Sequence, residues 1–301
     1  MIDFVFWLTA VLTLLIILII TEAKRRRAEL LATVEVITLP DFTSQALGNS
    51  REITVFLPPG YAQAGNRRYP TLYINDGQDQ EALLLRETVA KLCQRRQIPP
   101  LIVVAVPTNP HRLQEYGTAV CPNAQLLGTK AGEYGRFLTT ELMPAIEQQF
   151  RTSQNPADIG IVGVSLGGLS AFDIAWNRPD LFGVVGVMSG SFWWRAAADE
   201  TRMPPNQLIA QAMVRQTAVK PPLRFWFEAA TQDEASDRDG NGVIDAIQDT
   251  LELIAELSVL GFVPDEEVVY VEVPGGRHNY DTWAQVFPQF LRWAFEADER
   301  E

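Results

Sequence analysis

Ile159-Gly160-Ile161-Val162-Gly163-Val164-Ser165-Leu166-Gly167-Gly168-Leu169-Ser170-Ala171 is the stretch on which the reading of this chain turns. Ile159 to Val164 is a short all-apolar run, the pattern of a strand buried on both faces. Gly168 to Trp176 can start a helix directly after it. Between the two, Gly163-Val164-Ser165-Leu166-Gly167 fits G-x-S-x-G. The spacing has a steric reason. A serine on a very tight strand-to-helix turn needs small residues two before and two after it, since larger side chains would collide in the bend. Such a turn lifts the serine oxygen above the end of the sheet. The plainer alternative is a glycine-rich turn whose serine caps the helix; the strand before and the helix after it favour a nucleophile at Ser165.

Working outward, apolar β-rich runs alternate with helical patterns. Strands are expected at Ala32–Leu39, Ile53–Leu57, Thr71–Ile74, Leu101–Val106, Val184–Met188, Leu223–Glu228 and Val268–Val273. Helices are expected at Glu81–Gln94, Gly132–Phe150, Ala246–Leu260 and Trp283–Phe295, with a kink or break at Pro144. Buried strands separated by helices mean a mostly parallel sheet covered by helices, a doubly wound α/β fold built as one domain over residues 40–301.

A nucleophilic serine needs a base, and the chain has two histidines. With the order nucleophile, acid, base, the base must follow Ser165, which selects His278 over His111. His278 closes Pro274-Gly275-Gly276-Arg277-His278, just past a strand, where a loop at the sheet's carboxyl edge would hold it. The acid is expected in the loop after Leu223–Glu228. Asp233 is the first carboxylate there beyond Glu228, which belongs to the strand; Glu234, Asp237 and Asp239 compete nearby. Its task is to accept the second imidazole N–H. The oxyanion hole needs two backbone N–H groups. Leu166 supplies one, and Gln78, in the turn Asn75-Asp76-Gly77-Gln78, is chosen for the other.

At this point the chain resembles the esterase D/enterochelin esterase-like family of α/β-hydrolases, which includes siderophore esterases, feruloyl esterases, S-formylglutathione hydrolases and mycolyltransferases. The likeness runs in order from about Arg51 to Phe295. It passes through Leu72–Gln78, the R-x-x-E-Y pattern of Arg112–Tyr116, Phe137–Ile146, the elbow Gly163–Leu169, Arg178–Phe182, Ser189–Trp194, and finally His278 with Trp283. The resemblance implies an α/β-hydrolase fold, a Ser165–Asp233–His278 triad, and an acyl or siderophore ester as substrate, with no cofactor required. The chain departs from the family at the acid loop, where Ala230 replaces the glycine of Gly-Thr-x-Asp. An acyltransferase on the same triad, and a catalytically silent binding protein with an esterase-like shell, are the competing readings. Arg112, Trp193 and Trp194 are expected to line the pocket, the tryptophans being equally suited to the core.

Composition excludes other classes. With 47% apolar and 21% charged residues the chain is globular, and its net charge of −12 argues against nucleic-acid binding. Two cysteines, Cys93 and Cys121, are too few for a disulfide framework or a cysteine-based zinc site; they read as two thiols, with a single pairing as the alternative. Phe4 to Ile20 carries no charge, spans about 25 Å as a helix, and is followed by Lys24-Arg25-Arg26-Arg27. The expectation is a single-pass membrane anchor over 1–23 and a basic linker plus first strand over 24–39. Basic residues on its C-terminal side place the catalytic domain in the cytoplasm.

Asp237, Asp239, Asn241 and Asp245 fall at positions one, three, five and nine of a calcium-loop pattern, with Gly242 at position six. Position twelve is Gln248 instead of the bidentate glutamate, so a weak structural Ca²⁺ site is the candidate there. Ordinary turn chemistry, with Asp245 capping a helix, is the alternative.

Overall fold

The computed structural model describes residues 2–196 and 207–296, with the backbone alone at 2–6 and 8–11. Helix α1 spans Ile2–Ala32, and strands β1 (Glu35–Ser44) and β2 (Asn49–Leu57) form an antiparallel pair. The core then alternates: β3 (Thr71–Asn75), α2 (Leu85–Gln94), β4 (Ile102–Val106), α3 (Arg112–Glu115), α4 (Ala131–Arg136), α5 (Met143–Gln149), β5 (Ile159–Val164) and α6 (Leu166–Asn177). It continues with β6 (Val184–Met188), α7 (Ile209–Arg215), β7 (Arg224–Gln232), α8 (Asp245–Val259), β8 (Val268–Arg277) and α9 (Tyr280–Ala294).

All eight strands join one sheet in the order β1-β2-β4-β3-β5-β6-β7-β8. From β4 to β8 every pairing is parallel, and β2 runs antiparallel to β4. Side chains alternate across the pleat, which divides the core in two. Tyr73, Ile161, Val185, Val187, Phe225 and Phe227 pack with Tyr134 of α4, Leu169 and Phe172 of α6, and Leu253 and Leu257 of α8. Leu72, Val162, Val184 and Trp226 pack on the other face with Val89 and Leu92 of α2 and Phe287, Phe290 and Leu291 of α9. This is the doubly wound arrangement the strand pattern requires.

Between α4 and α5 the backbone stays helical but widens into a π-turn at Phe137–Leu142, immediately before Pro144 in the first turn of α5. Pro144 has no N–H for the carbonyl four residues back, and the wider turn absorbs that loss without a break.

The N-terminal expectation is corrected. Among the described residues no helix is long and apolar enough to cross a membrane. The uncharged run of α1, Phe4 to Ile20, is about 25 Å long as a helix, short of a hydrocarbon core of about 30 Å. The side chains of residues 4–6 and 8–11, part of the expected span, lie outside the described residues. The membrane anchor, the membrane as a partner and the cytoplasmic placement drawn from the anchor all fall with this. Nor do residues 24–32 form an extended linker. They continue α1, with Arg25 and Arg26 paired to Glu22, Arg25 to Glu29, and Arg27 reaching Glu87 on α2. Charges three and four residues apart face each other on a helix, which extends it to Ala32 and delays β1 to Glu35. No disulfide joins Cys93 to Cys121.

Candidate active site

Ser165 sits between β5 and α6 with φ 55° and ψ −125°. L-residues avoid this region, so the surroundings must hold it there. They do so by close approach. A Cβ on Gly163 would lie 2.1 Å from the Gly167 carbonyl oxygen, and one on Gly168 2.8 Å from Val187 Cγ1. Ser165 N–H donates to the Met188 carbonyl at 2.9 Å, and Ser191 N–H to the Ser165 carbonyl at 3.2 Å. The bend is thereby fixed to the end of β6.

Because β5, β6, β7 and β8 are neighbours in that order, their carboxyl ends form one edge. His278 follows β8 directly, and Asn279 caps α9 by accepting the Thr282 N–H. The imidazole Nε2 lies 2.9 Å from Ser165 Oγ. Its Nδ1 lies 3.6 Å from Asp233 Oδ1, a contact slightly longer than a hydrogen bond. The Asp233 side chain is 1% exposed and that of His278 41%, so the carboxylate is buried while the imidazole faces solvent. Asp233 Oδ2 accepts the Ala230 N–H at 3.1 Å, and its Oδ1 lies 3.0 Å from Ser189 Oγ. Trp283 meets the His278 ring edge to face at 5.1 Å and donates its indole N–H to Ser189 Oγ at 2.9 Å.

The opposite wall is the turn after β3. Asn75 Nδ2 donates to the Gly167 carbonyl at 2.8 Å, which ties this turn to the serine bend. Asp76 is left-handed with φ 56°, and Gln78 lies in the 3₁₀ turn Gly77–Asp79. Gly77 has no alternative, since a Cβ there would stand 2.5 Å from the Ala105 backbone. Leu166 opens α6, so the two expected oxyanion donors belong to neighbouring turns at the ends of adjacent strands. The Gln78 side chain bridges Asp79 and Thr108.

The R-x-x-E-Y segment resolves into three anchors. Arg112 donates from Nε and Nη2 to the two Asp76 oxygens, each at 2.7 Å. Glu115 forms a buried pair with Arg51 at 3.0 Å. Tyr116 Oη accepts the Asp76 N–H at 2.9 Å. Arg112 is thus committed to Asp76 and clamps the turn. Trp194 is fully buried, pressed on Gly117 and Gly128, and belongs to the core; Trp193 is 43% exposed. His111 is exposed at the start of α3.

The structure adds three side chains that the sequence reading did not assign. Ser191 Oγ lies 3.5 Å from Ser165 Oγ. Ser189 and the fully buried Glu228 stand behind Asp233, with Glu228 Oε2 3.4 Å from Ser189 Oγ. The Ser189–Ser191 run was legible only as part of a family-like segment; nothing marked Glu228 except that it is an acid in an apolar strand.

The residues of the calcium pattern bond within and beside their own loop. Asp237 accepts the Asn241 and Gly242 N–H groups, Asp239 accepts from Gln248, and Asn241 Oδ1 accepts the Val243 N–H. Asp245 pairs with Arg238, whose charge also meets Asp249 and Glu252. Among the described residues no three His, Cys, Asp or Glu side chains are grouped to hold a metal ion. A groove of about 450 Å³ between α1 and α2, lined by Arg27, Leu31, Phe56 and Leu84, includes none of Ser165, Asp233 and His278.

Residues 44–294 match the family described as "Putative esterase". The chain belongs to this esterase family. Membership makes the protein a carboxylic ester hydrolase. The esterase is 25% identical over 261 residues to the uncharacterized protein YbbA of Bacillus subtilis, covering 84% of this chain and 95% of that one. It is 29% identical over 154 residues to an iron(III) enterobactin esterase of Escherichia coli O6:H1, covering 50% of this chain and 35% of that one. A solved ferulic acid esterase shares its fold with a TM-score of 0.67 at 18% identity, over 88% of this chain and 99% of that one.

Proposed function

We propose that the esterase works through an acyl-enzyme on Ser165. His278 Nε2 takes the hydroxyl proton as Ser165 Oγ bonds to the ester carbonyl carbon, and the backbone N–H groups of Leu166 and Gln78 receive the negative oxygen. The C–O bond to the alcohol then breaks, and the alcohol leaves with the proton from His278. A water, deprotonated by the same nitrogen, attacks the acyl carbon and releases the acid and Ser165. Asp233 holds the imidazole in the tautomer that presents a bare Nε2. The observation that carries this reading is the 2.9 Å approach of His278 Nε2 to Ser165 Oγ at a bend no unconstrained serine would adopt.

The substrate we propose is a small ester with an aromatic acyl part, of the siderophore or feruloyl kind on which the similar proteins are named as acting. Trp193, exposed beside Trp194, would offer such a ring a face. The catalytic unit starts with β1, since a boundary at residue 40 would cut that strand. A panel of p-nitrophenyl, feruloyl and dihydroxybenzoyl esters tests the proposal. Wild type should hydrolyse at least the aryl members, and Ser165→Ala none. Hydrolysis surviving in Ser165→Ala would contradict it.

A further inference from the structure

Behind Asp233 the hydrogens can be counted. A serine hydroxyl has one hydrogen to give and two lone pairs to receive. At Ser189 one lone pair is taken by the Trp283 indole N–H, which can only donate, at 2.9 Å. One hydrogen and one lone pair remain for two carboxyl groups, Asp233 at 3.0 Å and Glu228 at 3.4 Å. If both were ionised, both would need the single hydrogen. If one is a neutral acid, it fills the last lone pair with its own O–H, and the serine hydrogen is left to the other.

The surroundings decide which one is neutral. Asp233 accepts the Ala230 N–H and lies beside His278. Glu228 is fully buried in β7, and its Oε1 has no hydrogen-bond partner. Burial and the like charge of Asp233 push its carboxyl up to about 8. The other groups around it leave that ordering intact. Across β8 stand Tyr270, kept neutral by burial, and the exposed Glu272 to which it donates; α9 contributes the uncharged Trp283, and the residue that follows β6 is Ser189 itself.

We propose that Glu228 is a positioning residue: it keeps its proton, donates it to Ser189 Oγ, and so directs the Ser189 hydrogen onto Asp233. The chain Glu228–Ser189–Asp233–His278 then points one way, and the same serine, through Trp283, fixes the face on which the imidazole ring rests. The inference rests on Asp233 being the acid of the proposed triad. Above about pH 8 Glu228 ionises, competes for the serine hydrogen and repels Asp233, so activity declines there.

Two measurements test it. In an infrared difference between wild type and Glu228→Gln at pH 7, the carbonyl stretch of a protonated carboxylic acid should appear and give way to carboxylate bands above pH 8. Carboxylate bands alone at pH 7 would overturn the proposal. In kinetics, Glu228→Gln keeps an N–H donor for Ser189 and should retain kcat at pH 7 within a few-fold while losing the alkaline decline. Glu228→Ala should lose about tenfold in kcat, the effect of one hydrogen bond to a charged group. An unchanged alkaline limb in Glu228→Gln, or full kcat in Glu228→Ala, would also overturn it. Asp233→Asn, measured alongside, separates the two readings: full kcat there with the acid band present would remove Asp233 from the triad while leaving the proton on Glu228.

Discussion

Replacing Arg112 by alanine tests whether the Asp76 carboxylate holds the Gln78 turn in place. Asp76 is 4% exposed and receives four side-chain donors: Arg112 twice, Thr108 Oγ1 at 3.1 Å and Gln78 Nε2 at 3.3 Å. Arg112→Ala removes the two short, charge-assisted bonds and leaves a buried anion with two neutral, longer ones. Breaking a buried pair costs about 3–5 kcal/mol. With two donors remaining and Arg112 itself 29% exposed, the lower end, about 3 kcal/mol, is expected. For a domain of this size that is a fall in Tm of roughly 6–10 °C. The same loss frees a left-handed residue two positions before the expected oxyanion donor, and misplacing such a donor by a fraction of an ångström should lower kcat about 10–100-fold. KM should move much less, because Arg112 serves the turn and not the substrate. The assay pairs thermal melting with steady-state hydrolysis of an aryl ester. Wild-type Tm with a large rise in KM would refute the reasoning and return Arg112 to the substrate pocket.

Other consequences are measurable in the same way. Glu115→Leu strands the Arg51 guanidinium, which keeps bonds only to Asn49 and Pro107 and its place over Phe137, and should cost about 3 kcal/mol. The double variant Arg51→Met/Glu115→Leu should recover much of that in denaturant unfolding; additive losses would show that the pair is not coupled. Burial pushes the Asp173 carboxyl up to about 7 from the ordinary aspartate range near 3.8, so the unfolded chain binds fewer protons than the folded one between those values. Stability from this group is therefore full in acid and is lost as pH rises toward 7. Asp173→Asn should gain on wild type in Tm as pH increases over that interval; a gap independent of pH would contradict the burial argument. Gly163→Ala forces a Cβ to 2.1 Å from the Gly167 carbonyl oxygen, and should abolish hydrolysis by opening the serine bend.

Much of the site was legible because its requirements are local or scarce. The strand Ile159–Val164 and the serine bend depend on residues adjacent in sequence, and the structure reproduces the strand's bounds. His278 was selected because no other histidine follows Ser165. Asp233 was chosen over Glu234 and Asp237 by order alone, as the first carboxylate past the strand; the burial of its side chain is a feature no spacing encodes. Glu228 looked like one more residue of an apolar strand, and its meeting with Ser189 depends on β6 and β7 lying side by side. Arg112 and Trp194 carry the chemistry of a binding pocket, yet one is claimed by Asp76 and the other by a gap between two glycines. In the acidic loop Arg238 pairs with Asp245, one of the four residues of the calcium pattern, while Asp237 accepts from the loop's own N–H groups and Asp239 from Gln248. The N-terminal reading erred through its boundary: pairing of Glu22 and Glu29 with the arginines makes the basic stretch helix, not linker.

The central claim is tested most directly by intact-mass analysis after reaction with a fluorophosphonate, followed by peptide mapping. A single adduct is expected, on the peptide containing Ser165, and it should form at least a hundredfold more slowly in His278→Ala, about the range lost when a general base is removed. Failure of the folded wild type to react, or an adduct on a different serine, would contradict the account.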